Sequence, residues 1–211
     1  MTDSSQLSRL ERAADILEIR DALQRYCFGI DQQNLELAKS AFHEDSIEEH
    51  GPFKGKSIDL VTFRIPKLAG YDVLVRHLTN VSVEFIDHDS ALSEAYWLAV
   101  MRQVGQEEWI QSGRYMDRFE RRNGEWRIAA RLAAMDWWRA EPRNSIPFLQ
   151  GAEPILKWGH RGLHHPAIRS ALLEKNWDRL AEVKDSGHIA ADVKPVTPQE
   201  LVTEFKQFQN R

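Results

Sequence analysis

"EEWIQSGRYMDRFERRNGEWRIAARLAAMDWWR", residues Glu107–Arg139, decides the fold. At its centre Asn123–Gly124 is a strong hairpin signal, because both central positions of that turn require positive φ. The flanking stretches, 107–122 and 125–139, then read as two long antiparallel strands. In the second strand, alternation puts Trp126, Ile128, Ala130, Leu132 and Ala134 on one face. Arg127, Ala129, Arg131, Ala133, Met135 and Trp137 take the other. Upstream, "HLTNVSVEFI" places His77, Thr79, Val81, Val83 and Phe85 on one face. "DHDS" is a turn, and "ALSEAYWLAVMRQ" is a strand long enough to bend.

Before residue 76 the period is helical. Ile16, Ile19, Leu23, Cys27 and Ile30 form one stripe of a helix over about 13–30. A short second helix holds Leu35, Leu37, Ala38, Ala41 and Phe42. "SIEEHG" reads as a short strand ending at Gly51, and "SIDLVTFRIPKLAG" as a helix that Pro66 kinks or ends. Helices followed by long antiparallel strands mean α+β. The expected product is a cone: a strongly curved sheet wrapped around the N-terminal helices and closed at one end. Beyond Ala140 the chain turns rich in Pro and Gly, then helical in "PAIRSALLEKNWDRLAEV" and "TPQELVTEFKQFQ". Residues 1–140 are therefore expected to form the cone, and 141–211 a C-terminal extension that covers a pocket or grips a subunit.

The chain has 211 residues, 42% hydrophobic and 28% charged, which suits one globular domain with an appendage. A net charge of −4 without a basic run argues against nucleic acid. The single cysteine, Cys27, excludes a disulfide framework within the chain and suggests a reducing compartment. No apolar run is long enough to span a bilayer, so a soluble cytoplasmic protein without membrane contact is expected. The absence of P-loop, GxGxxG, GxSxG and CxxC motifs gives no reason to expect a nucleotide cofactor or serine hydrolase machinery. Five of the seven tryptophans (Trp97, Trp109, Trp126, Trp137, Trp138) fall in the expected sheet. They serve either core packing or a pocket for a flat apolar ligand.

Four residues sit oddly. Asp31 continues the apolar stripe four residues after Cys27; it is either an interior carboxylate or the N-cap of the next helix. Tyr26 borders the same stripe, as an interior phenol or a rim aromatic. His77 opens an otherwise apolar strand face, and an interior Asp31 could fix its tautomer and make it a general base. Arg131 lies between small residues and Met/Trp, either holding a substrate oxygen or pairing with Asp117 or Glu120 at the surface. "HRGLHH" (His160, His164, His165) is a weak zinc candidate, and Glu48–His50 reads as solvated strand rather than a metal site.

"IRDALQRYCFGIDQQNLELAKSAFHEDS", "RHLTNVSVEF" and "SGRYMDRFERRNGEWRIAARLAAMDWW" together resemble the SnoaL-like branch of the nuclear transport factor 2-like superfamily. The resemblance covers about residues 8–140. Members include hexachlorocyclohexane dehydrochlorinase, scytalone dehydratase, bile acid dehydratase and sphingomonad diarylpropane lyases. It implies the α+β cone, no cofactor or metal, and a homotrimer. It also implies a catalytic set: Asp31 and His77 as base dyad, Arg131 from the last strand, and Tyr26. Trp97, Met135, Trp137 and Phe85 are expected to bind substrate. One departure stands out: His77 is followed by "LTN", one residue shorter than in the dehydrochlorinase. The implied activity is a cofactor-independent lyase acting on an aromatic or polycyclic small molecule, with a lignin-derived diarylpropane as the specific expectation. An isomerase or cyclase, or a non-catalytic binding module, is the alternative.

Overall fold

The computed structural model describes residues 4–141 and Gln207. The expected C-terminal extension and the His160, His164, His165 group lie outside the described residues. Helix α1 (Ser4–Asp31) is followed by α2 (Leu35–Lys39), strands β1 (Phe42–His50) and β2 (Phe53–Lys56), and helix α3 (Ser57–Arg64). A 3-10 segment, Ile65–Gly70, carries Pro66 near its start. Four long strands complete the domain: β3 (Tyr71–Phe85), β4 (Ser90–Gln103), β5 (Glu108–Arg122) and β6 (Glu125–Glu141). The sheet order is β2-β1-β6-β5-β4-β3. Strands β3 to β6 form an antiparallel meander, and β1 joins its edge parallel to β6. That parallel pair departs from the expected run of antiparallel strands. The Asn123–Gly124 turn forms as read, with φ of 54° and 81°.

One face of α1 is buried against the sheet: Ile19, Ala22, Leu23, Tyr26, Cys27 and Ile30. Full burial of each aliphatic side chain among them contributes roughly 1.5–3 kcal/mol before entropy is charged. The wall opposite comes from β4 (Ala91, Ala95, Trp97, Ala99), β5 (Tyr115, Phe119) and β6 (Trp126, Ile128). α+β packing around the N-terminal helix is therefore as expected.

Bulges correct the expected faces. Leu78 pairs with Trp97 and Val81 with Ala95, so β3 holds one extra residue there. Side chains upstream of the bulge therefore swap faces. Val81, Val83 and Phe85 turn inward as read, but before the bulge the inward residues are Leu74, Arg76 and Leu78, and His77 is exposed. A second bulge lies on β6, where Phe119 pairs with Ile128 and Arg118 with Ala130. Trp126 and Ile128 point inward before it, Arg131 and Ala133 after it. A third interrupts pairing at Ser112/Gly113, opposite Met135 and Trp137.

Candidate active site

The last turns of α1 bring Tyr26 and Asp31 over the concave side of the sheet. On β1, simple alternation turns Ser46, Glu48 and His50 inward and Ile47 and Glu49 outward. The bulged strands supply Arg76, Asp117 and Arg131, while Trp97 and Tyr115 come from β4 and β5. Arg64 reaches the same space from the C-terminal end of α3.

The Glu48 side chain is fully buried and accepts a hydrogen bond from His50 Nδ1 at 2.8 Å. On the other side of the ring, Arg64 Nη1 lies 3.3 Å from His50 Nε2. A guanidinium can only donate. Nε2 therefore carries the lone pair and Nδ1 the proton, which fixes the tautomer. Burial holds the His50 imidazole below its ordinary pKa; Glu48 opposes this and Arg64 adds to it. The ring is neutral at physiological pH, with a carboxylate behind it, and its side chain keeps 22% of its exposure. Such an imidazole can take a proton and then share the charge with Glu48.

Aromatic rings pack beside this pair. Trp97 stacks on Tyr115 with centroids 5.7 Å apart, and Tyr26 meets Tyr115 edge-on at 5.6 Å. Gly113 makes room for the indole: a Cβ there would lie 2.6 Å from Trp97 Cζ2 and 2.1 Å from the Ala134 carbonyl oxygen. Burial raises the Tyr26 phenol, with Glu48 adding to the shift, so it stays a hydrogen-bond donor. The Cys27 thiol is pushed up to about 12 by burial and is not a nucleophile. Glu48 Oε2, Trp97 Nε1 and Arg131 Nη1 are buried without a hydrogen-bond partner among the described residues.

Of the expected site residues, Tyr26, Trp97, Asp31 and Arg131 lie on the inward side. Asp31 does not pair with His77. Its carboxylate is held by Arg76, through the backbone N–H at 2.7 Å and through the guanidinium. Nor is it the N-cap of α2; that cap is Asn34, whose Oδ1 accepts from the Leu37 N–H. Arg76 is buried, so Asp31 is the counter-charge of an interior cation. Arg131 forms the pair with Asp117 foreseen as the alternative, bidentate at 2.7 and 2.8 Å, but fully buried rather than at the surface. Its guanidinium is packed against the rings of Tyr26 at 4.3 Å and Tyr115 at 4.2 Å. Two of its three nitrogens are thus committed, and Arg131 acts as a strut.

Three expected substrate contacts are also displaced. Phe85 packs edge-on to Trp126 and under Arg12, apart from the Glu48–His50 group. Met135 and Trp137 are exposed, at 56% and 46%. Glu48, His50, Arg64 and Arg76 were missed as site residues. The period of two in "SIEEH" was the available signal for the first two, since it puts Ser46, Glu48 and His50 on one face. Among the described residues no group of His, Cys, Asp and Glu is arranged to hold a metal ion, and no helix is long and apolar enough to cross a membrane.

A family model described as the SnoaL-like domain matches residues 11–132. Among solved structures, the fold is similar to hexachlorocyclohexane dehydrochlorinase type 3 from Novosphingobium barchaimii LL02. The two are 21% identical over 63% of this chain and 94% of that one, with a TM-score of 0.57. A candidate scytalone dehydratase from Novosphingobium aromaticivorans is 18% identical over 64% and 92%, at 0.57. The Kfla4162 protein from Kribbella flavida is 16% identical over 61% and 95%, at 0.55. No curated protein sequence matches the chain.

Proposed function

The chain belongs to the SnoaL-like domain family, and from that premise we propose that it is a cofactor-independent lyase working by general base catalysis inside the cone. The observation that carries this reading is the Glu48–His50 pair, a neutral imidazole with its tautomer fixed, set beside the Tyr115 ring. His50 Nε2 takes a proton from the substrate. The electrons of the broken bond form a new double bond, and a small group leaves with its bonding pair. Glu48 stabilises the imidazolium that results. Tyr26 donates to the developing negative charge or to the leaving oxygen.

Trp97, Tyr115 and Tyr26 favour a flat aromatic substrate. Within that class the reading favours a lignin-derived diarylpropane or aryl diol. Loss of water alone gives a stilbene-like product by the step above. In loss of formaldehyde His50 takes the O–H proton, the carbon–carbon pair becomes the stilbene-like double bond, and the neighbouring hydroxyl leaves with its bonding pair as water, protonated by Tyr26. The domain would work as a homo-oligomer, because the outer sheet face leaves Ile47, Leu92 and Leu132 exposed along a groove of about 770 Å³. The C-terminal extension would complete that contact or cover the mouth.

The test is to incubate wild type and His50→Ala with aryl diols, hydroxysteroids and halogenated rings, following near-ultraviolet absorbance and product mass. Conjugated product lighter by a small fragment, formed about 10²–10⁴ times more slowly by the variant, is the expected result. Product of unchanged mass would point to an isomerase. Binding without turnover of any compound would make this a binding module.

A further inference from the structure

The base of this reading is covered. His50 Nε2, the only ring nitrogen free of Glu48, accepts from Arg64 Nη1 at 3.3 Å. A lone pair engaged by a guanidinium N–H cannot take a proton from a substrate, so Arg64 must move before His50 can act. Arg64 is half-buried at the end of α3, and no carboxylate pairs with it among the described residues. The other interior cations differ. Arg76 has Asp31 and Arg131 has Asp117. Among the described residues Arg64 has only a neutral ring, a weak partner for a guanidinium and one that an anion would displace.

We propose that Arg64 is a specificity latch: it covers His50 in the free protein and is drawn off by an anionic oxygen group, preferably a carboxylate, on an aromatic substrate. The ligand's charge then does two things. It supplies Arg64 with the bidentate partner it lacks, and it uncovers the proton acceptor only when a substrate is present. The aromatic walls of Trp97, Tyr115 and Tyr26 would hold the ring of the same molecule. The proposal rests on the general-base reading for its chemical consequence, but its binding step stands alone.

The groups facing His50 are Glu48 on its own strand, Arg64 from α3, Tyr115 from β5 and Arg131 from β6. Of the two cations, Arg131 already has its counter-charge, bidentate on Asp117. Arg64 lowers the His50 pKa in the free protein, so neutralising it should let the ring titrate at higher pH.

The experiment uses the full chain, with benzoate as the anionic probe and benzamide as its neutral counterpart. His50 ring signals are assigned by comparison with His50→Gln and followed by NMR. Benzoate should bind at least about tenfold more tightly than benzamide and raise the His50 pKa. Arg64→Met should lose the preference and start with a higher His50 pKa; Arg64→Lys should keep part of it. Equal binding of the two probes, binding of neither, or a preference surviving in Arg64→Met would overturn the latch. Failure of the lyase reading is seen separately: the benzoate preference would persist while no substrate is turned over.

Discussion

Single residues in this interior carry charge in pairs, and that sets what substitution does. Asp117 is the ion-pair partner of buried Arg131. Asp117→Asn should cost about 3–5 kcal/mol in urea unfolding, because it strands a buried cation. Asp31→Asn should act in the same direction by exposing Arg76 to the same deficit. If Asp31 instead served His77, its replacement would lower the rate and leave stability nearly intact. His77 itself is exposed, so His77→Ala should change stability by no more than about 0.5 kcal/mol and spare activity. His50→Ala and His77→Ala therefore separate the two candidate bases in one assay.

At the scale of elements, the strands bend where an extra residue enters, and each bend decides what the interior contains. The bulge at Thr79–Asn80 exchanges His77 for Arg76; that at Ala129–Ala130 brings Arg131 inward by reversing the alternation begun at Trp126. Gly113 is the matching device on β5, where the Trp97 indole and the β6 backbone crowd the Cα. Gly113→Ala should cost about 1–3 kcal/mol through overpacking. It should also alter the near-ultraviolet circular dichroism, since the Trp97–Tyr115 stack must shift. A variant with unchanged stability and spectrum would show that the indole does not lie where the geometry puts it.

For the whole molecule, the pH response follows from the buried imidazole. The folded-state pKa of His50 lies below its unfolded value near 6.5, chiefly through burial. The unfolded chain therefore binds the proton more readily as pH falls. The stabilising contribution is complete above about 6.5 and is lost as pH drops through the folded value. The melting temperature should decline from pH 7 to 5, and His50→Gln should flatten that decline. Deprotonated His50 is also the form that catalysis needs, so the rate should hold until pH drops through the folded value and fall below it. A rate that stays level below that folded value, where His50 is protonated, would exclude His50 as the base.

The sequence by itself determined the elements and the fold class. The helical stripe ending at Ile30, the Asn123–Gly124 turn and the period of two beyond Arg76 depend on local chemistry, which a one-dimensional pattern records. It also pointed to an interior holding Tyr26, Asp31, Arg131 and Trp97. Only the tertiary structure decided which of these meet. Pairing across a curved sheet admits one extra residue wherever bending requires it, and no Gly or Pro marks Thr79–Asn80 or Ala129–Ala130. A displacement of one residue turns every side chain beyond it to the other face. That is why Arg76 rather than His77 stands beside Asp31, and why the interior imidazole is His50, on a strand whose "SIEEH" pattern looked solvated until β6 and α3 closed over it.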